Sequence, residues 1–515
     1  PIDFAASLQL QVVGTLTGNG SVNRGTLTTT TAILDLDPLT VYGSAGFALT
    51  QQTVDADTDG NGSADLLGAS LTTLALDAQG VGVYIDGIAN LTVTGKLALA
   101  TLTPATVVPA DGRSWFALQL GDVTVAGGLD PSLLDLSATL SINRLAYNSA
   151  SGATATGVAA KRLNWATAFD LDADGSPDIL DPGLELPLPA ALPIDFAASL
   201  QLQVVGTLTG TGTDGVFLDV AGVTLSGSVS FAFGMQTVDL QAGATTYDDV
   251  KLTTFALAIN QPLTLKVDAI TASITSGALA VATIDLGDAN QTKYFGLKAK
   301  NLAATVTGVP GLDGALTGVS IKINKASGTV APVALNWTIS VDLDASGFFS
   351  SATVGIVDPG QDLVPAKSLP IDFTAEIVSF AAIVDINLFD IVHISAGFAL
   401  TETTVDLDAN RNGVKGAGDI LGAKLSTYAI SVDDQADPLQ TVTISVGGIS
   451  LVITSGNVVV AVVETTGPTG GSYIAVRGDT IKAHLIGLPD SITLELAGIG
   501  FEFNSSKPTV ATTSP

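Results

Sequence analysis

The 515-residue chain contains no cysteine and only two histidines, His393 and His484. The lack of cysteine excludes disulfide bonds, cysteine nucleophiles and thiolate metal sites. The histidines lie in separate strand-like segments and match no catalytic or metal-binding spacing, and neither a GxSxG motif nor a glycine-rich phosphate loop occurs. We therefore expect that the protein is not an enzyme.

Basic residues are also scarce, because 20 lysines and arginines stand against 49 acidic residues and give a net charge of −29. A surface this acidic repels nucleic acid phosphates and anionic lipid headgroups, so we expect no nucleic acid partner. It can instead bind divalent cations. Large exported bacterial proteins often lack cysteine, so this composition is compatible with a location outside the cell.

Long apolar runs are missing, although 46% of the residues are hydrophobic. The most apolar region, residues 377–384, is eight residues long, whereas a membrane-spanning helix needs about 18. We therefore expect no transmembrane segment. Apolar residues alternate instead with threonine, serine, glycine and asparagine, and this period of two is typical of half-buried antiparallel strands.

The sequence contains a large internal repeat. Residues 1–18, PIDFAASLQLQVVGTLTG, recur without change at 193–210, and a related copy begins with PIDFTAEI at 370. We predict three β-sheet repeats, at 1–192, 193–369 and 370–515, the third of them truncated. We also expect that the sequence is an excerpt of a longer protein.

The predicted fold class is all-β, an elongated array of tandem antiparallel β-sheet modules with few short helices. Sandwich modules and a continuous solenoid-like sheet both remain open. The segments SADLLGA at 63–69 and DPSLLDL at 130–136 are the candidates for short helices. Trp165 and Trp337 each follow an asparagine near the end of a repeat, and their apolar surroundings favour core packing over a role in carbohydrate stacking.

Clustered aspartates carry the most specific chemical signal. The segment 170–181, DLDADGSPDILD, alternates carboxylates around a glycine. Calcium binds six to eight oxygen ligands in a flexible shell, and such a loop supplies them. The predicted ligands of this loop are Asp170, Asp172, Asp174, Asp178 and Asp181.

Two further clusters have a similar pattern. The first-repeat loop, DADTDGNGSAD, offers Asp55, Asp57, Asp59, Asn61 and Asp65. The third-repeat loop offers Asp406, Asp408, Asn410, Asn412 and Asp419. The second repeat has lost most of the corresponding acids. The alternative interpretation of each cluster is an aspartate-glycine turn that caps a hairpin.

The segment 170–181 resembles the EF-hand-like loops of dockerins, except that aspartate replaces glutamate at the last position and flanking helices are not evident. The repeated ASLTTLALD, INKASG and LNW…DLDADG…DILDPG…LPIDF blocks resemble the tandem modules of giant repetitive bacterial surface and secreted proteins, including adhesin-like ones. The resemblance implies an extracellular stalk or fibre that is stiffened by Ca²⁺. The GGxGxDxUx nonapeptide calcium repeat of some adhesins is absent.

Three functions follow as hypotheses. The first is a structural repeat of an extracellular bacterial cell-surface protein, a stalk, fibre or adhesin spacer whose partners are neighbouring repeats. The second is an envelope protein that carries lipid along an apolar face. The third is assembly of identical subunits into a filament or sheath through strand pairing at the repeat edges.

Overall fold

The computed structural model describes most of the chain. The described residues are 7–24, 27–36, 39–85, 89–105, 111–129, 135–172, 174–220, 223–267, 270–309, 312–330, 332–343, 349, 355–388, 391–408, 419–435, 439–446, 448–465, 471–488 and 494–508. Asn410 and Asn412 of the third predicted calcium loop lie outside these ranges.

Strands dominate all three repeats. The strands of the first repeat are β1 (Leu8–Thr17), β2 (Gly20–Arg24), β3 (Leu27–Leu36), β4 (Leu39–Tyr42), β5 (Ser44–Ala56), β6 (Leu66–Ile85), β7 (Ala89–Thr103), β8 (Ser114–Leu129) and β9 (Asp135–Ser151). Those of the second are β10 (Leu200–Gly210), β11 (Val216–Val220), β12 (Val223–Ala242), β13 (Thr245–Val267), β14 (Ile270–Asp285), β15 (Lys293–Val309), β16 (Leu312–Ser327) and β17 (Val341–Asp342). Those of the third are β18 (Ile377–Leu388), β19 (Val392–Leu407), β20 (Ile420–Asp433), β21 (Val442–Val446), β22 (Ile449–Glu464), β23 (Gly471–Ile486) and β24 (Leu494–Pro508).

The predicted all-β fold of antiparallel hairpins is confirmed. The helix predicted at 63–69 is wrong, because β6 begins at Leu66 and buries that side chain in the core. Most of the helix predicted at 130–136 falls outside the described residues. The helical segments in the described part of the chain are single 3₁₀ turns at Pro182–Glu185, Thr213–Gly215 and Pro359–Asp362.

The chain divides into two compact units, which do not coincide with the repeats. Unit 1 comprises Pro1–Asn260, Ile284–Leu286 and Ile339–Ser368, and unit 2 comprises Gln261–Thr283, Gly287–Thr338 and Leu369–Pro515. In unit 1 the antiparallel pairing order is β1-β5-β6-β7-β8-β9-β10-β12. In unit 2 it is β15-β16-β18-β19-β20-β22-β23-β24.

The core of the first repeat lies between one sheet face and an irregular segment, residues 152–199, which we call the cover segment. The sheet contributes a floor of small buried residues, among them Ala98, Ala100 and Ala146. The cover segment contributes large side chains, such as Trp165 and Phe196, which are at most 1% exposed. Because these sheet residues are small, the cover segment can approach the sheet closely. The large apolar side chains of the cover segment are thereby removed from water.

In the first and second repeats, a buried asparagine on the sheet forms hydrogen bonds with the irregular segment that follows it. Asn148 on β9 accepts a 3.0 Å hydrogen bond from Trp165 Nε1 and donates to the carbonyls of Leu163 and Ala197. The second repeat repeats this geometry within unit 2: Asn324 accepts from Trp337 Nε1 at 2.9 Å and donates to Leu335 and Ala375. Both asparagines and both tryptophans are fully buried, so the predicted core packing of Trp165 and Trp337 is confirmed.

A bulge with a required glycine also recurs. Gly95, Gly277 and Gly456 have φ between 123° and 147°. A Cβ on Gly95 would lie 2.5 Å from Val123 Cα on the neighbouring strand, and one on Gly277 would lie 2.6 Å from Leu302 Cα. Since only glycine tolerates this backbone and this close approach, the retained glycine of each repeat is structural.

Candidate metal centre

Two acidic loops lie side by side at the end of the first-repeat core, both in unit 1. The first follows β5, and the second follows Phe169 in the cover segment. Ala56 and Phe169 form an antiparallel bridge, and the Asp57 amide donates to the Ala168 carbonyl at 2.9 Å. This backbone pairing fixes the start of one loop against the start of the other.

The first loop gathers three carboxylates. One carboxylate oxygen each from Asp57, Asp59 and Asp65 lies within 4.8 Å of the others. Asp57 is 9% exposed and accepts from the Gly60 and Gly62 amides, both at 2.8 Å, so its carboxylate is held in place by the turn.

Further hydrogen bonds fix Asn61 and Asp65 in the first loop. Asn61 donates from Nδ2 to Asp59 at 3.0 Å, and its own oxygen accepts from the Ser63 amide. Asp65 accepts from the Thr58 amide and hydroxyl. These bonds hold Asn61 against Asp59 and fix the carboxylate of Asp65 within the three-carboxylate group.

The second loop gathers Asp170, Asp172 and Asp174, whose carboxylate oxygens also lie within 4.8 Å of one another. These three residues are exposed. Asp178 closes the loop from the other side, because its Oδ2 accepts from the Leu171 amide at 2.6 Å. It occupies the same place relative to this loop as Asp65 does in the first.

In each group the spacing of the carboxylate oxygens fits one calcium ion. Protein oxygens bind calcium at about 2.3–2.6 Å, so two ligands of one ion can be no more than about 5.2 Å apart. Oxygens that spread over 4.8 Å satisfy this limit. Each group supplies three carboxylates, and carbonyls, the Asn61 amide oxygen in the first loop and water are available to complete the shell.

The first acid of each strand end accepts a backbone hydrogen bond that the sequence pattern did not reveal, and the assignment of Asp55 and Asp406 as metal ligands stays a prediction. Asp55 accepts from the Gly68 amide at 2.7 Å, Asp239 from the Asp249 amide at 3.0 Å, and Asp406 from the Gly422 amide at 2.8 Å. The three donor residues all have φ between 55° and 68°. Asp55 and Asp406 therefore hold a bulge on the next strand, and Asp239 makes the corresponding bond in the second repeat, which lacks the acidic loop.

The remaining predicted ligands are not brought into either group. Asp181 lies directly before the Pro182–Glu185 turn, where its Oδ1 accepts from the Leu192 amide at 2.8 Å. Among the described residues of the third loop, Asp408 and Asp419 do not join a three-carboxylate group. Their assignment as ligands stays a prediction.

A guanidinium borders the first loop. Arg113 forms a bidentate salt bridge with Asp111 and donates to the Thr58 hydroxyl at 3.3 Å. Its guanidinium carbon lies 5.2 Å from the centroid of the Trp115 ring. The hydrogen bonds from Arg113 hold the pKa of Asp111 below its ordinary value, and those to Asp111 raise the pKa of Arg113. Arg113 therefore supplies positive charge near Asp65 but leaves the three-carboxylate group without a direct ion-pair partner among the described residues.

The second sheet face of unit 1 differs from the core face, and we call it the open face. Two rows of directly paired residues cross it. The first row is Leu49, Leu74, Leu99, Leu118, Tyr147 and Leu202, and the second is Phe47, Leu76, Leu97, Leu120, Leu145 and Val204. All twelve side chains are only half-buried.

The chain matches no protein-family model, and comparison with curated proteins returns no relative. In the described residues, no helix is long and apolar enough to cross a membrane.

Proposed function

We propose that the chain is a structural repeat of an extracellular bacterial surface protein, a stalk, fibre or spacer whose acidic loops bind calcium. The asparagine–tryptophan contact gives the first and second repeats the same construction, which suits a protein whose function depends on length and repetition. The cysteine-free, acidic composition is consistent with export.

The observation that carries the proposal is the pairing of the two acidic loops. Six carboxylates are concentrated at one end of one core, although like charges repel one another. A bound cation offsets this repulsion and ties the cover segment to β5 across the bridge between Ala56 and Phe169. In the low calcium of the cytosol the loops would stay loose, and they would stiffen after export.

Calcium titration by calorimetry tests the proposal. We expect the parent chain to bind calcium at both loops, with Asp59→Asn and Asp174→Asn each removing one site. Calcium at one hundred times its dissociation constant stabilises a single-site protein by about 2.7 kcal/mol, so thermal unfolding should shift upward and EDTA should reverse the shift. Asp214→Asn, in an exposed turn outside both groups, is the matched control. No heat of binding in the parent would remove the calcium part of the proposal.

The open face favours a second candidate function, the binding of lipid acyl chains. Its two apolar rows run without interruption from β5 to β10 and remain accessible. Mass spectrometry of solvent extracts from the purified chain should then detect lipid, and Leu99→Glu should abolish it, whereas Val333→Glu at an 87% exposed position should not. Extracts of the parent without lipid would exclude this candidate.

A further inference from the structure

Unit 1 contains a cavity of about 580 Å³ between its sheet and the part of the cover segment that leads to Leu192. Small-molecule sites have volumes of about 300–1,000 Å³, so this cavity is large enough for one. The lining residues lie outside both acidic loops and include Asp77, Gln79, Lys96, Asp122, Ala190 and Leu192.

Two opposite charges lie side by side on the sheet wall of this cavity. Asp77 on β6 is directly paired with Lys96 on β7. Each lies two residues from a buried alanine of the core face, Ala75 and Ala98, so both side chains belong to that face. The charged pair therefore faces the cover segment and not the open face.

Glycines stand on both sides of the charged pair in the same row, Gly46 next to Asp77 and Gly121 next to Lys96. A Cβ on Gly46 would lie 3.6 Å from Pro187 Cδ, and one on Gly121 would lie 2.9 Å from Leu192 Cδ2. The cover segment thus reaches the sheet on either side of the pair and encloses the cavity between these two contacts.

The hydrogen bonding of the pair is incomplete. Asp77 is only 7% exposed, and its Oδ2 accepts from Gln79 Nε2 at 3.0 Å. In the described part of the chain, neither Asp77 Oδ1 nor the Lys96 ammonium has a hydrogen-bond or ion-pair partner. A carboxylate withdrawn from bulk water is stabilised by further donors, and a ligand in the cavity can supply them.

The two charges occur together in the first repeat alone. In the second repeat, KLTTFALA and SGALAVA correspond to SLTTLALD and TGKLALA, so Asp77 is replaced by Ala258 and Lys96 by Ala278. These alanines are 1% and 6% exposed. The corresponding strands of the second repeat thus form with a buried alanine at both positions. This difference favours a role in binding for the charged pair.

We propose that the cavity binds a zwitterionic α-amino acid, whose ammonium group pairs with Asp77 and whose carboxylate pairs with Lys96. Directly paired residues have Cβ atoms about 4.5–5.5 Å apart, so a ligand that carries both groups on one carbon can contact both side chains. Charge-assisted hydrogen bonds are strong in such a recessed site. The apolar residues Ala190 and Leu192 line the cavity beside the pair and suit an aliphatic side chain.

This site goes beyond the structural role proposed above and does not depend on calcium. Titration calorimetry with L-leucine in EDTA tests it. We expect the parent to bind L-leucine, and Asp77→Ala with Lys96→Ala, which reproduces the alanines of the second repeat, to abolish binding. Asp248→Ala with Lys251→Ala removes the same two charges from exposed positions on β13 and should bind as the parent does. Thermal unfolding shows whether each variant is folded.

Two analogues of leucine test the orientation of the ligand. L-leucinamide keeps the ammonium group, whereas isocaproate keeps the carboxylate. Lys96→Ala should weaken L-leucine at least about tenfold and leave L-leucinamide unchanged, because only the carboxylate loses its partner. Asp77→Asn should weaken L-leucine to a similar extent and leave isocaproate unchanged.

Three results would overturn the proposal. The first is no heat of binding when the parent is titrated with L-leucine, L-alanine or L-phenylalanine. The second is equal affinity for L-leucine in the parent and in the folded double alanine variant of Asp77 and Lys96. The third is binding of glucose without binding of any of these amino acids, which would assign the cavity to a neutral polyol.

Discussion

The first and second repeats contain the same asparagine–tryptophan contact but differ in the connection that follows their corresponding strands β5 and β12. In the first repeat, β5 and β6 are joined by the acidic loop, and a second acidic loop lies against it. In the second, β12 and β13 are joined by a two-residue turn at Gly243 and Ala244, and Asp239 pairs directly with Asp342 on β17. The second repeat thus forms the corresponding strands without an acidic loop between them.

The comparison separates three roles that aspartates have in this chain. Asp55, Asp239 and Asp406 accept the corresponding backbone hydrogen bond in every repeat. Asp57, Asp59 and Asp65 form a group in the long loop between β5 and β6. Asp111 forms a salt bridge at the edge of that loop. Each role predicts a different response to substitution.

The largest expected effect is on the feature that both repeats share. Asn148→Ala and Asn324→Ala each leave one indole N–H and one buried carbonyl, that of Leu163 or Leu335, without the asparagine partner. At about 1–3 kcal/mol per group, each variant should lower the free energy of unfolding by about 2–6 kcal/mol. Denaturant unfolding followed by tryptophan fluorescence measures this. Asn457→Ala, at an exposed position on β22, is the control. A large decrease in the free energy of unfolding for one variant and none for the other would show that the two asparagine contacts are not equivalent.

The second effect concerns the feature that the repeats do not share. Replacing residues 57–65 with the second-repeat segment 241–246, QAGATT, should leave the free energy of unfolding in EDTA within about 1 kcal/mol, because loop length has a weak effect on stability. The same exchange should remove one calcium site and the corresponding part of the thermal shift. An unfolded protein would show instead that the loop is part of the folding core.

A smaller effect distinguishes the bulge-holding aspartates from metal ligands. Asp55→Ala, Asp239→Ala and Asp406→Ala should each destabilise by about 1–2 kcal/mol, since a charge-assisted hydrogen bond is lost. Asp55→Asn keeps an acceptor oxygen and should recover most of the loss. Calcium affinity should not change in any of the four variants; a tenfold loss in Asp55→Asn would identify Asp55 as a ligand after all.

The smallest effect is on acid stability. The pKa of Asp111 is lowered in the folded state, so its salt bridge contributes stability above the unfolded-state pKa and loses it as the pH falls through the lower folded value. Arg113→Gln should therefore destabilise the protein at neutral pH and flatten the decline of stability below about pH 4. Arg113→Lys should restore part of the slope. Identical pH profiles for the parent and Arg113→Gln would rule out this contribution.

The sequence predicted the strands, the repeats and the burial of Trp165 and Trp337, because these depend on local alternation and on apolar neighbours. The sequence pattern also identified the carboxylates that form the two acidic groups, since their spacing along the chain is local. The function of Asn148 was not predicted, because its partners Leu163 and Ala197 lie on a distant segment. The hydrogen bond from the Gly68 amide to Asp55 was not predicted either, because it depends on the register of the two strands. Alternation of apolar residues also does not determine which face of the sheet the cover segment buries.

The central claim is that calcium occupies the three-carboxylate group of the first loop. Crystals grown with millimolar calcium and measured for anomalous scattering test it most directly. We expect an anomalous peak at about 2.3–2.6 Å from oxygens of Asp57, Asp59 and Asp65, lost in Asp59→Asn and retained in Asp55→Asn. Well-ordered carboxylates with only water between them at the same calcium concentration would contradict the account.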